Sequence, residues 1–252
     1  MLKLFRRIRR KLLDEGKLRR YLIYAFGEIL LVVIGILIAL HINNLNEDRK
    51  TRTVEEQILK DLIIGIEDDI GSINYNIERH SEAINSCNVL LDIFNKNVGY
   101  NDSLSRHFAA IHYHTLFMNN KGAYESLKSK GFKTISNKEL RFIIINLYEK
   151  WYPMIQKNDN DLTNDILHIK RSFNQTHFDK FQLFQVTSKG FVYKGEMIPN
   201  NINELQNNVE YKYFLNSLLA SHSAVLSLYK LIKEIADETI DESSVEIQKL
   251  ND

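Results

Sequence analysis

The feature that most restricts this chain is an apolar run at residues 22–42. It is 21 residues long and carries one formal charge, Glu28. As a helix it reaches about 30 Å, the thickness of a bilayer's hydrocarbon core. Fourteen of its residues are Leu, Ile, Val or Phe. At roughly −0.5 kcal/mol each they contribute about −7 kcal/mol to insertion, against at most about +3 kcal/mol for the off-centre Glu28. A buried core helix would show a polar face at helical spacing, and residues 29–40 have none. The run reads as a transmembrane helix, residues 21–42, with the lipid bilayer as its first partner. Tyr21 and Tyr24 suit the inner interface.

Charge sets the expected orientation. Residues 1–20 hold nine basic and two acidic side chains, while the rest of the chain holds 24 basic and 30 acidic ones. Just after the span only Arg49, Lys50 and Arg52 are basic. The positive-inside rule then puts the basic segment 1–20 in the cytoplasm and residues 43–252 outside it. The apolar core runs into Ala39-Leu40-His41, which is no small-x-small cleavage site, so an uncleaved signal-anchor is expected. Leu2, Phe5, Ile8 and Leu12 alternate with arginines. That pattern is either a basic helix lying on the inner leaflet or plain topogenic charge. A basic head on a mildly acidic body is not the footprint of a nucleic-acid binder.

Two features inside the span carry alternatives. Glu28 either pairs with a basic group on a partner helix or snorkels, or is protonated, near the inner interface. Gly35 and Ala39, with Gly27 two turns earlier, form a small-residue face of the kind that lets helices approach.

The string Gly27-Glu28-Ile29-Leu30-Leu31-Val32-Val33-Ile34-Gly35-Ile36-Leu37-Ile38-Ala39-Leu40, followed by Ile42-Asn43-Asn44, resembles the hallmark of an uncharacterised family of Bacteroidota membrane proteins. That hallmark reads GEI-LVVIGILIAL-INNWNE, and Leu45 stands here where the family has Trp. A second stretch, Gly122-Ala123-Tyr124-Glu125-Ser126-Leu127-Lys128-Ser129-Lys130-Gly131, is similar to the family's second motif. The resemblance implies an inner-membrane location in a Gram-negative cell and hence a periplasmic domain at 43–252. It implies no activity, because the family is a domain of unknown function.

Gly (10) and Pro (2) are scarce, so the soluble part is expected to be helical. A long helix is expected from Glu47 to about Lys96, its apolar stripe running Leu59, Leu62, Ile66, Ile70, Ile73, Ile77, His80, Ile84, Cys87, Leu91, Phe94. The link 43–46 is either helical or a hinge. A shorter helix is expected at 103–117, and a short one at 123–130 stopped by Gly131. Ser136-Asn137-Lys138-Glu139 reads as a capping box. The helix it opens carries Leu140, Ile144, Leu147, Trp151, Ile155, Leu162, Ile166, Ile169 and Phe173, with a kink expected at Pro153. Residues 182–200 break the helical period and leave room for a small β-hairpin ended by Pro199. A last helix carries Phe214, Leu218, His222, Val225, Tyr229, Ile232 and Ala236, then fades into the polar tail 237–252. The expected fold is all-α: one N-terminal transmembrane helix followed by an antiparallel bundle of long helices. Near-heptad spacing predicts coiled-coil-like packing.

Catalytic patterns are missing from the sequence. It has no phosphate-cradling glycine loop, Gly-x-Ser-x-Gly elbow or His-Glu-x-x-His zinc helix. His107 and His114 share one face and His112 points elsewhere, which predicts packed or exposed histidines rather than a metal site. Cys87 lies on the apolar stripe and reads as a small buried hydrophobe. Tyr124 and Glu125 either bind something or lock a turn between helices. No cofactor is expected. The leading expectation is a non-enzymatic, membrane-anchored interaction, scaffold or sensor-like module with a protein partner or self-association. An envelope enzyme with a site assembled from scattered polar residues, or a small-ligand sensor, stands as the alternative.

Overall fold

The computed structural model describes residues 18–114, 116–187 and 190–251. The amphipathic pattern at 1–13 lies outside them. The chain divides into two compact units, residues 1–55 and 56–252. The first helix, α1 (Leu18–Lys96), has segments in both.

In the first unit α1 turns its apolar side chains outward. Leu22, Phe26, Ile29, Leu31, Leu37 and Ile42 are all exposed. Each large apolar side chain left in water forgoes about 1.5–3 kcal/mol of burial energy, so a run of them is compatible with a membrane span. Among the described residues this is the one helix long and apolar enough to cross a membrane, as expected of a single-pass membrane protein. Residues 43–46 are helical within α1.

In the second unit α1 buries a strict three-four seam: Leu59, Leu62, Ile66, Asp69, Ile73, Asn76, His80, Ala83, Cys87, Leu90, Phe94. The expected stripe followed the larger apolar residues Ile70, Ile77, Ile84 and Leu91. Those are only half-buried, and the seam passes through the neighbouring Asp69, Asn76, Ala83 and Leu90. The last helix, α7 (Val209–Asn251), repeats the spacing with Tyr211, Leu215, Leu218, His222, Val225, Tyr229, Ile232, Ala236, Thr239, Ser243 and Glu246. It does not fade at 237: small polar residues keep the three-four spacing, and the Thr239 and Ser243 hydroxyls donate to carbonyls one turn back.

Between these two helices lie α2 (Leu104–Ala110), α3 (Gly122–Lys130), a 3₁₀ turn (Phe132–Thr134), α4 (Lys138–Asn146) and α5 (Tyr152–Ile169). Helix α2 stops seven residues short of its expected end. Residues 111–114 and 116–121 form a loop without regular helix or strand, in which Ile111, His112 and Phe117 are buried. Gly131 takes φ +96°, a left-handed region that favours glycine, and ends α3 as expected. The cap of α4 is Asn137, one residue beyond the expected Ser136, with its side-chain Oδ1 accepting the N–H groups of Glu139 and Leu140.

A π-helical turn, Leu147–Trp151, joins α4 to α5 and places Pro153 in the first turn of α5. A proline lacks the N–H that a continuous α-helix uses, and the wide turn falls immediately before Pro153, where the kink was expected. The extra residue shifts the buried face by one position. Leu140, Ile144 and Leu147 lead into Tyr148, Tyr152, Ile155, Asp159, Leu162 and Ile166, so Tyr152 is buried where Trp151 was expected.

A second π turn (Lys170–Asn174) and a short turn (Gln175–His177) lead into an antiparallel hairpin, β1 (Phe178–Thr187) and β2 (Gly190–Pro199). The hairpin is longer than the expected 182–200 element and ends at Pro199 as expected. Its register shifts between Gln182 and Phe184, where β2 has one residue more and Gly195 takes φ +61°. Phe178 packs edge-on against Phe108 of α2, and the Met197 N–H donates to Ser105 Oγ at 3.0 Å. Helix α6 (Ile202–Asn207), capped by Asn201, leads into α7. The fold is all-α with one small two-stranded sheet.

Candidate functional site

A three-four seam normally holds apolar side chains, because an unpaired polar group in a core costs about 1–3 kcal/mol or more. Asp69, Asn76 and His80 break that rule on α1. They meet Tyr148, Tyr152 and Asp159 from the π turn and α5, His222 and Tyr229 from α7, and the loop 111–121. Together these residues form a polar seam through the core.

Its middle is a hydrogen-bonded chain. Asn76 Nδ2 donates to the Tyr229 hydroxyl at 2.8 Å, and that hydroxyl donates to Asp159 Oδ2 at 2.6 Å. The same carboxylate oxygen accepts the main-chain N–H of Phe117 at 3.0 Å. A carboxylate accepting two donors is well satisfied and holds both in place. Gln156 donates from Nε2 to the Phe117 carbonyl at 3.3 Å. The loop is thus tied to α5 through its own backbone, which explains why α2 cannot continue to 117.

One end of the seam is built from histidines. His80 Nδ1 and His222 Nδ1 lie 2.9 Å apart, so one ring donates and the other accepts, and both are neutral. Burial, with His222 beside it, pushes His80 down to about 3. Burial pushes His222 down to about 4, opposed by the Ile111 carbonyl. His112 is fully satisfied: Nδ1 donates to the Phe108 carbonyl at 2.8 Å, leaving Nε2 to accept from Asn174 Nδ2 at 2.7 Å. Burial holds it at about 4. His107 meets Ser86 at 2.9 Å, and His114 follows the helix. The three histidines expected on one helix therefore do not converge. Among the described residues no group of three or more His, Cys, Asp or Glu is placed to hold a metal ion.

The other end centres on Asp69, which is 2% exposed. Its Oδ1 accepts the Asn120 N–H at 2.7 Å. Its Oδ2 has no close hydrogen-bond partner and neither has the buried Tyr148 hydroxyl, while the buried Tyr152 hydroxyl is directed at the Asp69 carboxylate. Burial raises the Asp69 carboxyl to about 6; the Asn120 N–H and the facing Tyr152 hydroxyl oppose this, and Asp68 adds to it. Burial, and then the Asp69 charge, push both tyrosines up as well.

The second motif closes this end. Gly122 opens α3, Tyr124 and Leu127 are buried, Ala123 is half-buried and Glu125 is exposed. The Tyr124 ring stacks on Tyr148 at 4.4 Å and 3°, and Tyr148 meets Tyr152 edge-on at 5.2 Å. The Tyr124 hydroxyl donates to Glu149 Oε1 at 2.9 Å, and Lys128 Nζ donates to the same oxygen at 3.1 Å. Lys128 and the Tyr124 hydroxyl hold Glu149 below the usual carboxylate range. Tyr124 therefore locks α3 against α4 and its π turn, while Glu125 faces solvent.

The span's motif residues stand apart from the seam. Gly27, Gly35, Ala39, Asn43 and Asn44 are exposed on α1, and a Cβ added at Gly27 or Gly35 would meet nothing within 4 Å. Glu28 is half-buried and has an interaction of its own. Cys87 is buried, and burial pushes its thiol up to about 12, as suits an inert core residue. Sequence reasoning named His80, His222 and Tyr229 only as members of apolar stripes and passed over Asp69, Asn76 and Asp159. The signal was there: each stands three or four residues from buried neighbours on both sides.

The chain belongs to a family described as a family of unknown function (DUF6090), whose model matches residues 28–205. The match begins inside the apolar span and takes in the second motif, α5 and the hairpin. Neither a curated protein nor a solved structure matches the chain.

Proposed function

We propose that this protein is a membrane-anchored, extracytoplasmic helical module that works by interaction, as a scaffold or sensor-like subunit, and not by catalysis. The observation that carries the reading is the contrast along α1 between an outward-facing apolar run and a seam buried among other helices. The first needs lipid and the second needs protein neighbours. The basic excess at 1–20 favours a cytoplasmic N-terminus and a signal-anchor mode of insertion. The resemblance of the Gly27–Leu40 string to Bacteroidota proteins favours the inner membrane of a Gram-negative cell, with the bundle in the periplasm. Three-four spacing on α1 and α7 supports coiled-coil-like packing within the bundle.

A second reading, small-ligand sensing, is favoured by a groove of about 450 Å³ beside the seam. It is lined by Gly71, Tyr75, Asn76, Tyr113, Leu116 and Met118 among others, so it touches the hydrogen-bonded chain at Asn76. Proximity labelling from the C-terminus in the native cell tests the main reading. The expected result is a recurrent extracytoplasmic neighbour or a second copy of this chain. Labelling of cytosolic proteins, or of no stable neighbour, contradicts it.

A further inference from the structure

We infer that Asp69, Tyr148 and Tyr152 form a buried site for one monovalent cation of sodium or potassium size. Asp69 Oδ2 and the Tyr148 hydroxyl are buried with no close hydrogen-bond partner, and the buried Tyr152 hydroxyl is directed at the Asp69 carboxylate, although buried polar groups are nearly always fully satisfied. They belong to one cluster: the Asp69 charge acts on both tyrosines, and the two rings touch.

Charge accounting points the same way. The groups acting on Asp69 are Asp68 on its own helix, Tyr152 from α5, Tyr148 from the π turn and the Asn120 N–H from the loop. None is a basic side chain. A buried carboxylate without a counter-charge destabilises a fold, so it either takes up a proton or pairs with a cation. A water molecule would satisfy the hydrogen bonds and leave the charge. A hard monovalent ion accepts all three oxygens as ligands and compensates the charge. One carboxylate balances one positive charge, and hard cations take oxygen ligands. Tyr124 gains a task here as well, because its ring holds Tyr148 in position from the second motif. Proton and cation compete for the Asp69 carboxylate, so acid weakens cation binding.

The test uses the full chain in a non-ionic detergent at pH 8. Thermal unfolding is followed as sodium or potassium chloride replaces choline chloride at constant ionic strength. The inference expects Tm to rise with one of the two ions and then saturate. Tyr148→Phe is expected to raise the half-saturating concentration at least about tenfold. Asp69→Asn is expected to abolish the ion dependence while raising Tm in choline chloride. At pH 5 the wild-type half-saturating concentration is expected to rise about tenfold, as a proton competes for the carboxylate. Equal Tm in sodium, potassium and choline overturns the inference and leaves a site for water or a proton only. Full ion dependence in Asp69→Asn, or unchanged half-saturation in Tyr148→Phe, overturns it equally. Sodium-23 relaxation on the wild type reads binding directly, and exchange broadening that is unchanged at pH 5 also contradicts it.

Discussion

Residues 22–42 and residues 59–94 lie on one helix and obey opposite rules. In the first stretch large apolar side chains point outward with no polar face. In the second, apolar side chains point inward and share their seam with Asp69, Asn76 and His80. The difference is the one that the proposed change of surroundings, lipid for the first and protein for the second, requires. A helix in lipid satisfies its backbone internally and needs only an apolar exterior. A helix in a bundle is constrained position by position, because each buried polar atom must find a partner. Composition decides the first stretch, and geometry decides the second.

The comparison breaks most visibly in the span. Replacing Ile34 and Ile36 together by Arg removes two apolar contributions and adds two charges, about 7 kcal/mol in all, which cancels the favourable insertion energy. Alkaline carbonate extraction is expected to leave the wild type in the membrane pellet and release this variant. Two arginines at exposed positions beyond the span, Asp68→Arg and Glu78→Arg, are expected to leave membrane retention intact.

Acid sharpens the seam side. His80, His112 and His222 titrate lower in the fold than the ordinary value of about 6.5. The folded state thus binds fewer protons, so their contribution is full above about pH 6.5 and is lost as the pH falls toward about 3–4. Asp69 has the opposite sign, because its folded value of about 6 lies above its ordinary one. Its contribution is full below about pH 4 and is lost as the pH rises through 6. At pH 5 each neutral histidine has lost roughly 2 kcal/mol relative to pH 7, and Asp69 has regained roughly 1 kcal/mol. Denaturant unfolding is expected to show a net loss of several kcal/mol between pH 7 and pH 5. A flat profile would remove the histidine end of the seam from the account.

Single substitutions resolve finer steps. Asp159→Ala strips the acceptor from both Tyr229 and the Phe117 N–H and is expected to destabilise by about 3 kcal/mol, read by denaturant midpoint. Hydrogen exchange at Phe117 should quicken in the same variant. The smallest effect is expected at Tyr124→Phe, about 0.5 kcal/mol, because the partner Glu149 is half-exposed and the ring stack on Tyr148 survives. A loss several times larger would mean that the hydroxyl, rather than the ring, holds the second motif.

Much of the fold was legible because apolar spacing is a direct physical signal. The span, the long first and last helices, the Gly131 stop and a hairpin ending at Pro199 follow from length, period and backbone freedom. The errors have separate physical causes. Ile70, Ile77, Ile84 and Leu91 drew the stripe one position off the true seam, because side-chain size outweighed phase. Trp151 was favoured over Tyr152 because a π turn adds a residue that spacing alone does not show. Helix α2 was read through to 117 because the sequence does not show Asp159 capturing the Phe117 N–H. The site suffered most: Asp69, Asn76 and Asp159 are common surface residues, and only strict three-four phase distinguishes them.

The central claim is that residues 22–42 cross a membrane with the bundle on the far side. Fusing a phosphatase that works only outside the cytoplasm after Asp252, with a cytosol-dependent reporter as its counterpart, measures this directly. The account predicts an active phosphatase and a silent cytosolic reporter. The reverse pattern would contradict it.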